Sequence, residues 1–245
     1  ITYQNANDRD AGTAPTDRVS RELDTAEWKT VIGKAWDIGI PHIVFTGGEP
    51  TQRADLVELL EYCEAQGMVT GIISHGEKLA DESYLNQLLA SGLDHLMFVL
   101  TPEDPRGWEL VEKVLPLDLF TAVHLTLSPE NSVFINQYLE KLASLQPNAV
   151  SLSVSDLEMQ PLLEQARDYC ADLGMELVWE LPVPYMHLNP VTLQVNEIRV
   201  LDGAGRAWLY IEPDGDVLPD QSINRVLGNA LRDPFDQILQ AGRAS

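Results

Sequence analysis

The feature that most constrains this chain is an alternation. Apolar runs of strand length follow longer segments of helical period, six times in succession. TAEWKTVIGKAWDIG leads to HIVFT, ADLVELLEYCEAQG to VTGIIS, ESYLNQLLASG to HLMFVL and GWELVEKVL to FTAVHLTL. VFINQYLEKLASL then leads to AVSLSVS, and QPLLEQARDYCADLG to MELVWEL. Asp24 or Thr25 is the expected cap of the first helix. Gly39 ends that helix, and Gly67, Gly92 and Gly174 end later ones, each a few residues before the next strand. Repeated βα units imply parallel strands with helices outside them, in an α/β barrel or a doubly wound sheet.

In both architectures ligands gather at the carboxyl ends of the strands. Those ends read Thr46-Gly47-Gly48-Glu49, Ser74-His75-Gly76, Leu100-Thr101-Pro102, Leu127-Ser128-Pro129, Ser153 to Asp156 and Glu180 to Pro184. Small, hydroxyl-bearing and turn-forming residues suit a polar small molecule held by backbone groups, although turn chemistry alone produces much of the same composition. The first end is the most distinctive. A Gly-Gly pair after a buried strand removes two Cβ atoms where a ligand could approach the main chain. Glu49 adds a carboxylate, which suits an ammonium group and repels a phosphate, and Pro50 stiffens the exit. The plainer alternative is a tight βα turn with a helix-capping acid. His124 and Glu180 lie on or at the ends of later strands and are candidates for the interior. A hydrogen-bonded core histidine is the competing reading of His124, whereas a carboxylate ending an apolar strand, as Glu180 does, is costly unless paired or functional.

Composition excludes several functions. Asp and Glu number 38 against 16 Lys and Arg, giving a net charge of -22. Such a chain repels phosphate backbones and anionic lipid, so neither nucleic acid nor a membrane is an expected partner. No run approaches the roughly 18 apolar residues of a membrane span and no basic, apolar leader opens the chain, so a cytoplasmic location is expected. The two cysteines, Cys63 and Cys170, sit among apolar neighbours at helical spacing and read as buried free thiols.

After Pro184 the pattern changes. PVPYMHLNPVTLQVNE is interrupted by proline, AWLYIEPDGDVLP reads as a hairpin around Asp214-Gly215, and LRDPFDQILQAG as a closing helix. The expected organisation is a main unit over residues 1–184 and a small β/α appendage over 185–245.

VIGKAWDIGIPHIVFTGGEPTQRADLVELLEYCEAQG resembles the second βα unit of radical S-adenosylmethionine (SAM) enzymes, whose GGEP motif receives the amino group of SAM. The resemblance implies a partial (β/α) barrel with outer helices. It also implies SAM as cofactor, with Gly47, Gly48, Glu49 and Pro50 at its methionine end and Ser74 and Thr101 as further polar contacts. His75, His124 and Glu180 become candidates for the substrate side. YIEPDGDVLPDQSINRVLGNALRDPFDQIL is similar to the SPASM and twitch tails of family members that modify peptides and small molecules, so a small-molecule or peptide substrate is implied. An active enzyme would also need an electron donor.

The departures are equally specific. The family holds a 4Fe-4S cluster on three cysteines, C-x3-C-x2-C, after the first barrel strand, because three irons each need a thiolate. This chain has no such triplet, and HIVFT matches the family's second strand. In one register of ITYQNAN, Thr2 stands at a cluster-cysteine position, where a hydroxyl is no substitute for a thiolate. In another, all three cysteines lie upstream of Ile1. Without a first strand the edge of HIVFT would be exposed, so the sequence is expected to be a piece of a longer chain. No metal ligands are assigned within it, and Asp220 after Pro219 takes the place of a cysteine that binds a further cluster in related tails.

Three functions remain. One is a radical SAM enzyme that cleaves SAM reductively and abstracts hydrogen from a substrate, if cluster ligands lie outside the sequence. Another is a cluster-less relative acting as a binding or scaffold module. The last is an ordinary barrel enzyme using Glu49 and His75 for acid–base chemistry.

Overall fold

The computed structural model describes residues 1–3, 21–178, 204–205, 207–220, 223 and 225–243. Five parallel strands form one sheet: β1 His42–Phe45, β2 Val69–Ser74, β3 His95–Val99, β4 Phe120–Leu127 and β5 Ala149–Val154. They lie side by side in chain order. Six helices alternate with them: α1 Thr25–Asp37, α2 Leu56–Gln66, α3 Glu82–Ala90, α4 Pro105–Val114, α5 Ile135–Leu145 and α6 Gln160–Asp172. Each crossover adds its strand on the same side of the last one, as in the wall of a (β/α) barrel.

Local chemistry sets the helix limits. Asp24 caps α1 in a capping box with Glu27, satisfying two otherwise unpaired N–H groups. Gly67 ends α2 at φ +82°, the left-handed conformation that glycine adopts without a steric cost.

Strand alternation separates the two faces. Phe45, Ile72, Leu96, Phe98, Val123, Leu125, Val150 and Leu152 join the large core against the helices. Ile73, Met97 and Val99 form a second, small cluster with Val44 on the inner face. Cys63 and Cys170 are buried and free, as expected, and both belong to the helix-side core.

At the open side of β1, Thr2 forms an isolated parallel bridge with Gly47. On the far side, Leu177 bridges Val150, bringing the start of the expected MELVWEL strand beside β5. The continuation of that strand, including Glu180, lies outside the described residues, as does the expected unit boundary at 184/185.

The C-terminal part contains the expected hairpin. β6 Tyr210–Ile211 and β7 Asp216–Leu218 pair antiparallel around Gly215 at φ +91°, and β8 Gly228–Asn229 extends the sheet. The closing helix α7 is Phe235–Arg243. Val217, Ala230, Phe235 and Ile238 join the same core cluster as α1. The Lys34 ammonium of α1 donates to the carbonyls of Ala230, Leu231 and Asp233 at 3.0, 2.7 and 3.2 Å. This piece is therefore packed on the βα unit through a shared apolar seam and a charged tie.

Candidate functional site

The carboxyl ends of β1 and β2 meet at Glu49. Its side chain is 1% exposed and accepts hydrogen bonds from two neighbouring segments. Oε1 takes the Thr51 hydroxyl, the Thr51 N–H at 3.1 Å and the Ser74 hydroxyl at 2.8 Å. Oε2 takes the His75 N–H at 2.8 Å, with His75 Nδ1 at 3.4 Å. Burial alone would raise the Glu49 carboxyl, but hydrogen bonds from His75 and Thr51 outweigh it and hold it below the usual carboxylate range. An ionised carboxylate is thus fixed between the turn after β1 and the end of β2. Part of the plainer sequence reading holds as well, because Glu49 caps the short helical turn Pro50–Gln52 through Thr51 N–H.

The glycine pair is shaped by the chain beside it. Gly47 has φ +140°, and a Cβ there would collide with the Thr2 carbonyl. That carbonyl accepts from Gly48 N–H at 2.8 Å, while the Ile1 nitrogen donates to the Thr46 carbonyl. Thr2 and Tyr3 are held in turn by Glu22, which accepts the Thr2 hydroxyl at 2.9 Å and Tyr3 N–H at 2.7 Å. Arg53, just past the turn, donates to the Ile1 carbonyl at 3.0 Å and pairs with Asp55 at 2.7 Å. Reading the sequence alone missed this lattice, whose only trace there was one arginine three residues after GGEP.

The other expected residues divide by location. Gly47, Gly48, Glu49, Pro50, Ser74 and His75 form one contiguous group. His75 is 30% exposed at its side chain, so it faces the open end of the strands. Thr101 is exposed after β3 and its carbonyl accepts from Asp104 N–H; no contact joins it to the Glu49 group. His124 is fully buried on the inner face of β4, with Nδ1 2.9 Å from Ser151 Oγ and Nε2 3.1 Å from Ser153 Oγ. Burial pushes its pKa down to about 3, so the ring is neutral at physiological pH. The core-histidine reading describes this environment well. Above the His42 and His95 strand starts, the inner wall is apolar on β1–β3, with Val44, Ile73, Met97 and Val99, and carries hydroxyls on β4–β5.

A 4Fe-4S cluster does not fit the residues present. Cys63 and Cys170 are in α2 and α6, and burial pushes their thiols up to about 12 and about 11. Neither offers a thiolate to the strand ends. Residues 4–20 contain no cysteine, and Asp220 Oδ2 accepts the Trp208 indole N–H at 2.9 Å.

A sheet built from consecutive βα units, with a buried acid in a Gly-Gly-Glu-Pro turn at its carboxyl edge, defines a class. The model of the radical SAM superfamily matches residues 6–111, and the chain belongs to that superfamily, which uses SAM and a 4Fe-4S cluster.

Particular relatives narrow the comparison. PqqA peptide cyclase of Methylocella silvestris is 40% identical over 237 residues, covering 86% of this chain and 63% of the relative. That of Xanthomonas axonopodis pv. citri is 38% identical over 238 residues, covering 84% and 62%. The fold is that of Streptococcus suis SuiB bound to its precursor peptide SuiA. The TM-score is 0.65 at 18% identity, covering 89% of this chain and 58% of that one. The chain spans about three-fifths of the length of the curated relatives it matches.

Proposed function

We propose that this chain is the cofactor- and substrate-binding part of a peptide-modifying radical SAM protein, with any cluster ligands supplied from outside it. The observation that carries this reading is the ionised Glu49 carboxylate held at the mouth of the strand ends. Two carboxylate oxygens offer about four lone-pair sites. Oε1 is saturated, whereas Oε2 has one close donor, so an ammonium can be added there without displacing Ser74 or Thr51. The methionine amino group of SAM meets that requirement, and His75, partly exposed alongside, borders the rest of the molecule. SAM supplies radical-generating chemistry only when a reduced cluster stands beside it.

The chain's own residues would bind, orient and exclude water. Thr51, Ser74 and the His75 N–H fix the direction of the carboxylate before a ligand arrives, which lowers the cost of ordering it. Ile73, Met97 and Val99 present a dry wall, and His124 with Ser151 and Ser153 a neutral hydrogen-bonding one. That combination suits an uncharged stretch of peptide. A peptide substrate is supported by what the relatives are named for, PqqA in the cyclases and SuiA in the SuiB complex. Docking of the C-terminal piece on α1 through Lys34 is consistent with a SPASM- or twitch-like tail.

A specific observation favours a second reading. Thr2, which one register of the resemblance places at a cluster-cysteine position, is already hydrogen-bonded to Glu22, and no cysteine follows before Cys63. In that reading the chain is a cluster-less binding or scaffold module, and no acid–base role for Glu49 and His75 is required. Iron analysis of the full-length protein after anaerobic reconstitution separates the two. About four irons per polypeptide support the first reading, and iron no higher than in a cysteine-free control protein leaves the second.

A further inference from the structure

The amino-terminal end of the sheet holds a feature unrelated to the Glu49 group. His42 opens β1 and His95 opens β3, with β2 lying between them. Their rings nevertheless meet, Nε2 to Nε2 at 2.6 Å, with centroids 4.8 Å apart and planes at 73°. The meeting requires Gly71. His95 is the register partner of Gly71, and a Cβ at Gly71 would collide with the His95 ring. Glycine inside a strand weakens it and marks a close approach; here the approaching group is an imidazole crossing from β3 towards β1.

We propose that His42 and His95 form a two-histidine site for a divalent transition metal of the zinc, copper or nickel type, with Gly71 as the positioning residue. Imidazole nitrogen is the donor these ions share. Two such nitrogens on one tetrahedral zinc lie about 3.3 Å apart, so the pair opens by less than 1 Å, roughly, to admit the ion. His42 is exposed and His95 partly so, which leaves the remaining coordination positions to water. Asp94 adds negative charge close to both rings, while its own Oδ2 accepts Thr70 N–H at 2.7 Å. Both rings are neutral at physiological pH because burial lowers their pKa values, that of His95 to about 4. Neutral rings bind the ion without net loss of a proton, once the Nε2 proton that bridges the pair moves to Nδ1 of its own ring.

The test is titration of the protein with Zn²⁺ alone, in competition with a chromophoric chelator, alongside His42→Ala, His95→Ala and Gly71→Ala. The expected result is one site in the wild type and at least about tenfold weaker binding in each variant. Gly71→Ala is the informative one, because both ligands remain and only their meeting is blocked. Zn²⁺ should also raise the melting temperature of the wild type and leave that of His42→Ala unmoved. Equal binding by wild type and His42→Ala, or none by either, overturns the proposal and leaves a neutral hydrogen-bonded pair. If Gly71→Ala does not fold, the His42→Ala comparison decides alone, since His42 lies at an exposed strand start.

Discussion

Glu49 shows how much one residue carries. Four donors from Thr51, Ser74 and His75 point at it, so replacing it leaves buried polar groups without an acceptor. Glu49→Gln turns an N–H₂ towards one of those donors and should cost about 1–3 kcal/mol of unfolding free energy, read by denaturant titration. Glu49 and two histidines, His124 and His95, produce two acid-sensitive windows. His124 is neutral in the folded state down to about 3, while the unfolded imidazole takes a proton near 6.5. Stability therefore falls as pH drops through that interval, because the unfolded chain binds the proton that the folded chain refuses. His95 acts in the same direction down to about 4. Glu49 acts lower: its stabilisation is complete above the ordinary carboxyl value of 4.5 and is lost as pH falls towards its depressed value. Unfolding curves should show His124→Asn losing about 2 kcal/mol less than wild type between neutral pH and pH of about 4.5. Glu49→Gln should differ from wild type mainly at and above pH of about 4.5 and converge with it below. Equal slopes in all three proteins would contradict this division.

At the scale of elements, the βα order and most boundaries were legible because parallel strands buried on both faces read as continuous apolar runs. Glycine at the helix ends added the punctuation, and the capping box at Asp24 and Glu27 was readable in part. Asp24→Ala should lower stability by about 1 kcal/mol without changing the sheet, as thermal unfolding would report. Contacts set by neighbouring strands were not legible. That Glu49 after β1 meets Ser74 and His75 at the end of β2 follows from strand order and register, which no local pattern states. The His42–His95 pair skips a strand altogether, and only a glycine inside VTGIIS hinted at it. Nothing in the sequence sets Lys34, in the last turn of α1, apart from other helix lysines. Its three carbonyl partners predict that Lys34→Met speeds amide exchange in residues 228–243 by about tenfold or more, while β2 to β4 stay protected. Unchanged exchange there would mean that the apolar seam alone holds the C-terminal piece.

Across the whole molecule, the barrel wall and its SAM-type turn coexist with an empty cysteine inventory at the strand ends. The strand ends and turn composition pointed to a polar ligand, and the GGEP stretch pointed to the superfamily. The substrate was not legible, because the described inner wall is assembled from alternate residues of five strands. The strongly acidic surface is consistent with solubility and disfavors polyanionic partners. The proposed role of Glu49 is to accept the SAM ammonium. Isothermal titration of SAM into the wild-type protein and Glu49→Gln tests this most directly, with thermal melts confirming that both are folded. The account predicts saturable binding by the wild type and affinity at least about tenfold lower in the variant, the loss of a charge-assisted hydrogen bond. Equal affinity in the two folded proteins, or no binding by the wild type, would contradict it.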